Sequence, residues 1–177
     1  AYAMHLLARN QGEDIYYETL INLDSALAGT FIKTVRKYDP FEERPLIWQA
    51  EMARRDGDPD LALKTIEEAI ALPLSVGAHG KDSRMFCYEV LARVHKDAGR
   101  QEKADFFRSV VDSIRQGEAA DDFLYAGLIK EATERYQKAL GQFEDAYCLQ
   151  SRLAMTFARN GQFDKSVKHF KKAFEFM

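Results

Sequence analysis

The chain has 177 residues, with 25 Lys and Arg against 28 Asp and Glu, for a formal charge of −3. That balance excludes a strongly basic nucleic-acid binder, and 46% hydrophobic with 12% aromatic residues excludes a disordered chain. Only four Pro and ten Gly exclude a loop-rich sandwich, a collagen or a low-complexity chain, while the length suffices for one sizeable core.

Taken in chain order, apolar residues recur at helical spacing almost throughout. The pattern predicts helices over residues 2–10, 13–22, 24–38, 43–56, 59–72, 82–98, 101–115, 118–126, 129–140, 144–159 and 163–176. No segment asks for a strand, so the fold class is all-α. Residues 46–55 show the rule with Leu46, Ile47, Ala50 and Ala53, and residues 61–72 with Leu61, Ala62, Ile66, Ala69 and Ile70. Asp58-Pro59-Asp60 reads as an N-cap, a first-position Pro and a first-turn acid. Asp39-Pro40 is either a second such start or a terminator. Gly57, Gly99, Gly127, Gly141 and Gly161 follow periodic runs, where a left-handed helix end favours Gly. The one long loop expected is 73–81. Gly117 falls between the helices expected at 101–115 and 118–126.

Targeting signals are absent from the sequence given. There is no basic-then-apolar leader and no run of 18 apolar residues, so no membrane contact is expected of it. The start Ala1-Tyr2-Ala3 and the end in a helical pattern suggest a piece of a longer protein. Cys87 and Cys148 stand far apart in the chain and outside any C-x-x-C, which fits free thiols and a cytoplasmic location.

Motifs for chemistry do not assemble. No two of His5, His79, His95 and His169 are at i, i+4, so no metal is expected. His95 reads as a packed histidine. The loop at 75–83 has Ser75 and Asp82 where a phosphate loop needs Gly and Ser or Thr, and no strand precedes it. Asp56-Gly57-Asp58-Pro59-Asp60 has the wrong order for an EF-hand. Lys165, Lys168, Lys171 and Lys172 oppose Phe163, Val167, Phe170 and Phe174, the mark of a solvated helix face rather than a nucleic-acid site. No enzyme activity and no cofactor are expected.

A repeat organises the chain. On the register that superposes Gly127 on Gly161, Ala119-Ala120-x-x-Phe123 falls on Leu153-Ala154-x-x-Phe157. Ala132, Tyr136 and Ala139 fall on Ser166, Phe170 and Ala173. Earlier copies run through Leu46, Ala50, Gly57, Ala62 and Ala69, and through Leu91, Ala92, His95, Gly99 and Ala104. The small slots Ala50, Ala92, Ala120 and Ala154 are expected to let helices approach closely. This pattern resembles the tetratricopeptide repeat, a glycine-turned pair of amphipathic helices with a period of about 34 residues. Gly127 and Gly161 keep that period, but the chain departs from the repeat in three ways. Gly57 and Gly99 stand too far apart for it, Gly99 and Gly127 stand too close, and the repeat Trp is missing.

The resemblance implies a superhelix of antiparallel helix pairs, with about four repeats over 43–177 and atypical N-terminal helices over 1–42, in one domain. It implies a scaffold that binds a protein or peptide in a concave groove. A regulatory or sensor array within a larger signalling or transcription protein is the alternative. Carried over by position, the groove would hold Arg44, Ile47, Trp48, Glu51, Arg54 and Arg55. Phe86, Glu89, Arg93 and Lys96 follow from the next repeat, and Arg152, Met155 and Arg159 from the last. With Asp97, Glu118 and Asp121 this face has seven bases against five acids, which points to an acidic partner. The chaperone-tail clamp of one subclass needs inward Asn residues that this face lacks. The bare apolar end at Phe163, Val167, Phe170 and Phe174 points to self-association.

Overall fold

The computed structural model describes residues 14–72 and 80–175, with side chains from Met85 onward in the second stretch. Among the described residues the chain forms nine α-helices and no strand. They are α1 Asp14–Leu23, α2 Ser25–Tyr38, α3 Arg44–Arg55, α4 Pro59–Ala71, α5 Gly80–Asp97, α6 Gln101–Tyr125, α7 Ile129–Gln142, α8 Tyr147–Arg159 and α9 Phe163–Glu175. The helix expected at 2–10 and most of the loop expected at 73–81 lie outside the described residues.

Local chemistry sets the helix ends. Asp24 and Asp58 cap α2 and α4, their carboxylates accepting from Leu27 N at 2.9 Å and Leu61 N at 3.0 Å. Pro45 and Pro59 sit in the first turns of α3 and α4, where a missing N–H costs nothing. Asp39-Pro40 proves to be a terminator: α2 stops at Tyr38 and α3 begins only at Arg44. Gly57, Gly99, Gly127 and Gly161 all have φ between 70° and 79°, the left-handed turn within each helical hairpin. Gly141 differs, remaining inside α7.

One expected boundary does not exist. The two helices predicted at 101–115 and 118–126 are a single 25-residue helix, α6. It follows Gly99 as the second helix of one hairpin and precedes Gly127 as the first of the next, which explains the short spacing between these two glycines. Gly117, which lies between the two expected helices, is buried within this single one. A Cβ there would meet Leu149 Cδ2 of α8 at 2.1 Å, so the residue serves close helix approach rather than a turn.

The chain forms two compact units, Ala1–Phe107 and Arg108–Met177. The first has two apolar cores. One joins Tyr17, Leu20, Phe31, Ile32 and Val35 of α1 and α2 to Trp48 of α3. The other joins Leu46, Ile47 and Ala50 to Ile66 of α4 and Val90, Leu91 and Val94 of α5. In the second unit Ala120 and Leu124 of α6 pack with Tyr136 and Ala139 of α7 and with Leu149, Leu153 and Phe157 of α8. The buried Ser113 hydroxyl donates to Ala139 O at 2.7 Å and fixes α6 against α7. Ala50, Ala92, Ala120 and Ala154, the small slots of the repeat, are all buried.

Candidate functional site

The groove residues from α3 separate into two sets by burial. Arg44, Ile47, Trp48 and Glu51 are buried, so they hold the unit together instead of lining its surface. Trp48 stacks on Tyr17 with centroids 6.4 Å apart, and its Nε1 donates to Asp14 Oδ1 at 2.8 Å. Phe86 of α5 closes the same core, 5.0 Å from Trp48. Arg44 lies 3.6 Å from Asp14 and 3.5 Å from Glu42. The amphipathic period reports which face is apolar. A helix packed on two sides buries more than one stripe.

Glu51 is the hub of the second set. Arg54 donates to it twice, from Nε at 2.9 Å and Nη2 at 2.8 Å, and Arg55 Nε donates at 3.0 Å. Arg93 of α5 adds an ion pair at 3.4 Å. Burial pushes the Glu51 carboxyl up, but the Arg54 and Arg55 hydrogen bonds and the Arg93 charge outweigh it and hold it below the usual carboxylate range. Arg54 also reaches Asp97 at 2.5 Å, and Arg93 lies 3.6 Å from Glu89. Arg55 Nη1 donates to Asn22 at 3.0 Å. Three guanidinium groups therefore meet three carboxylates, and this part of the face has no surplus positive charge. Arg93 stays 40% exposed with its guanidinium 5.6 Å from the Phe86 ring centroid, and Lys96 is exposed beside it.

In the second unit Arg152 pairs with Asp121 at 3.2 Å, and Tyr136 donates its hydroxyl to the same carboxylate. Met155 and Arg159 of α8 are exposed. Cys87 and Cys148 are not joined in a disulfide. Burial pushes the Cys148 thiol up, against the lowering that a place near a helix start would bring.

The first unit also contains a feature that the sequence did not announce. A cavity of about 580 Å³ opens between α4, α5 and α6, lined by Leu63, Glu67, Leu91, His95, Arg100, Glu102, Lys103, Phe106 and Phe107. His95 is packed, as its repeat position suggested, with its ring 5.6 Å from Phe107 and nearly parallel to it. Among the described residues its Nδ1 has no hydrogen-bond partner. Burial, then the charges of Arg100 and Lys103, push its pKa down and favour the neutral imidazole. Phe106 is half exposed at the rim. Of the adjacent aromatics Phe106 and Phe107, the first faces out and the second packs on the core.

Among the described residues no cluster of three or more His, Cys, Asp or Glu is placed to hold a metal ion, and no helix is long and apolar enough to cross a membrane.

No protein-family model and no curated protein sequence matches the chain. Solved structures similar to it include MamA, at 18% identity over 84% of this chain and 86% of that one, with a TM-score of 0.36. A second MamA structure gives 18% identity over 84% and 80%, with a TM-score of 0.35. YrrB gives 13% identity over all of this chain and 93% of its own, with a TM-score of 0.42, and is described as a TPR protein with an unusual peptide-binding site.

Proposed function

We propose that this chain is a protein-interaction scaffold that takes an apolar side chain of a protein or peptide partner into the cavity between α4, α5 and α6. The observation that carries this is the cavity itself. It has an apolar floor of Leu63, Leu91 and Phe107, a mixed-charge rim, and a volume within the usual range for binding pockets, about 300–1,000 Å³. Hairpins stacked by local contacts form a rigid support for such a recess, and the rim charges of Glu67, Arg100 and Lys103 would orient the partner's backbone and flanking residues.

A second reading keeps the groove of the repeat. Its support, within the first unit, is the half-buried Arg93 on Phe86, with Lys96 exposed beside it. An acidic segment of a partner would be read there by Lys96 and by Arg93, whose contacts with Glu51 and Glu89 are longer than the hydrogen bonds that hold Arg54 and Arg55.

Peptide phage selection on the whole chain separates the two readings. The cavity reading expects enriched peptides with one aromatic or aliphatic anchor, and binding about tenfold weaker to Phe106→Glu than to the parent chain. Arg93→Glu with Lys96→Glu should leave that binding unchanged. Selection of acidic peptides sensitive only to the Arg93 and Lys96 changes would move the site to the groove. No enrichment at all would refute both.

A further inference from the structure

Helix α9 has a packed face of small residues and an exposed apolar stripe. Ser166 and Ala173 are buried, on the side that packs against α8. Phe163, Val167, Phe170 and Phe174 form the other face, and they are 67%, 53%, 41% and 80% exposed. Scattered apolar residues at a surface are ordinary, but four in one helical stripe mark an interaction face.

The spacing of the stripe is specific. The intervals are four, three and four residues, the a/d pattern of a coiled-coil seam. They also read the same in both directions. A second α9 running antiparallel therefore places Phe163 opposite Phe174 and Val167 opposite Phe170, with no apolar residue left over. Asp164 and Lys171, each one residue past a seam Phe, are one heptad apart on the same flank. In the antiparallel arrangement Asp164 of each copy faces Lys171 of the other, giving two opposite-charge pairs. Among the described residues neither makes an ion pair within its own chain. A parallel pair brings opposite flanks together, and Asp164 and Lys171 then do not meet.

We infer that α9 is a self-complementary interface through which two copies of this chain pair antiparallel about a two-fold axis. Such an interface is isologous: the same patch serves both copies. The stripe offers on the order of 400 Å² per copy, at aromatic areas of about 150–250 Å² each. That is small beside a standard interface of roughly 800 Å² per partner, so the dimer is weak and concentration-dependent. This surface is separate from the cavity of the proposed function, and either can fail alone.

Sedimentation equilibrium of the whole chain tests it. The 20.3 kDa chain should approach twice its mass at hundreds of micromolar. Lys171→Glu should weaken association about tenfold, because it sets a carboxylate opposite Asp164. Asp164→Lys combined with Lys171→Glu should restore it, since each pair is then reversed in sign. Val167→Glu should abolish it, with helical circular dichroism unchanged in every variant. A strict monomer across the range overturns the inference. So does a dimer indifferent to Val167→Glu or Lys171→Glu, and so does failure of the double reversal to rescue.

Discussion

Glu51 is a carboxylate buried among three guanidinium groups. Glu51 exposes 2% of its side chain, whereas its three arginines are between 21% and 40% exposed. Glu51→Gln keeps the shape and removes the charge. We expect it to cost about 2 kcal/mol, less than for a fully buried pair because water screens the arginines. The pH dependence has a definite sign. Glu51 is depressed in the folded state, so the unfolded chain takes up its proton first as the solution is acidified. Its stabilisation is present above the ordinary carboxylate pKa of about 4.3 and is lost as pH falls through the lower folded value. Urea midpoints from pH 7 to pH 3 should therefore converge for parent and Glu51→Gln. A constant gap down to pH 3 would contradict the assignment.

At the scale of one element, two helical glycines should respond to alanine with opposite signs. On propensity alone either change would stabilise a helix, by about 0.8–1.0 kcal/mol. Gly141 in α7 has nothing within 4 Å of the position its Cβ would take, so Gly141→Ala should gain roughly 0.5–1 kcal/mol. Gly117 in α6 is pressed against Leu149, which is itself fully buried and has no room to swing away. Gly117→Ala should lose about 1–2 kcal/mol despite the better propensity, because overpacking outweighs it. Denaturant midpoints at unchanged m-value would show both. A stabilised Gly117→Ala would mean that α6 and α8 do not approach this closely.

At the scale of the whole molecule, stability should be local. Contacts in a hairpin array run between neighbours, so a defect in one unit should be felt mostly there. Native-state hydrogen exchange of Gly117→Ala should speed at Leu153 and Phe157 and stay unchanged at Ile47 and Ile66. Equal acceleration at all four would show a single cooperative unit. The same locality explains what could be read without coordinates. Helices, their capped starts, four of the five glycine turns and the buried alanine slots depend on residues within a few positions of each other, and the periodicity carried them. The break expected between residues 115 and 118 does not form, and the close approach that Gly117 permits there is to Leu149, two helices further along the chain. Trp48 and Glu51 were expected in the groove from the repeat resemblance, but residues of α1, α2 and α5 pack over them. The cavity beside His95 is formed by three helices at once and has no linear signature. By itself the sequence determined an all-α array of glycine-turned hairpins, since capping, propensity and amphipathic period are short-range. Only the tertiary structure decided which faces are buried, where charges cancel and where a recess remains, since those depend on packing between segments far apart in the chain.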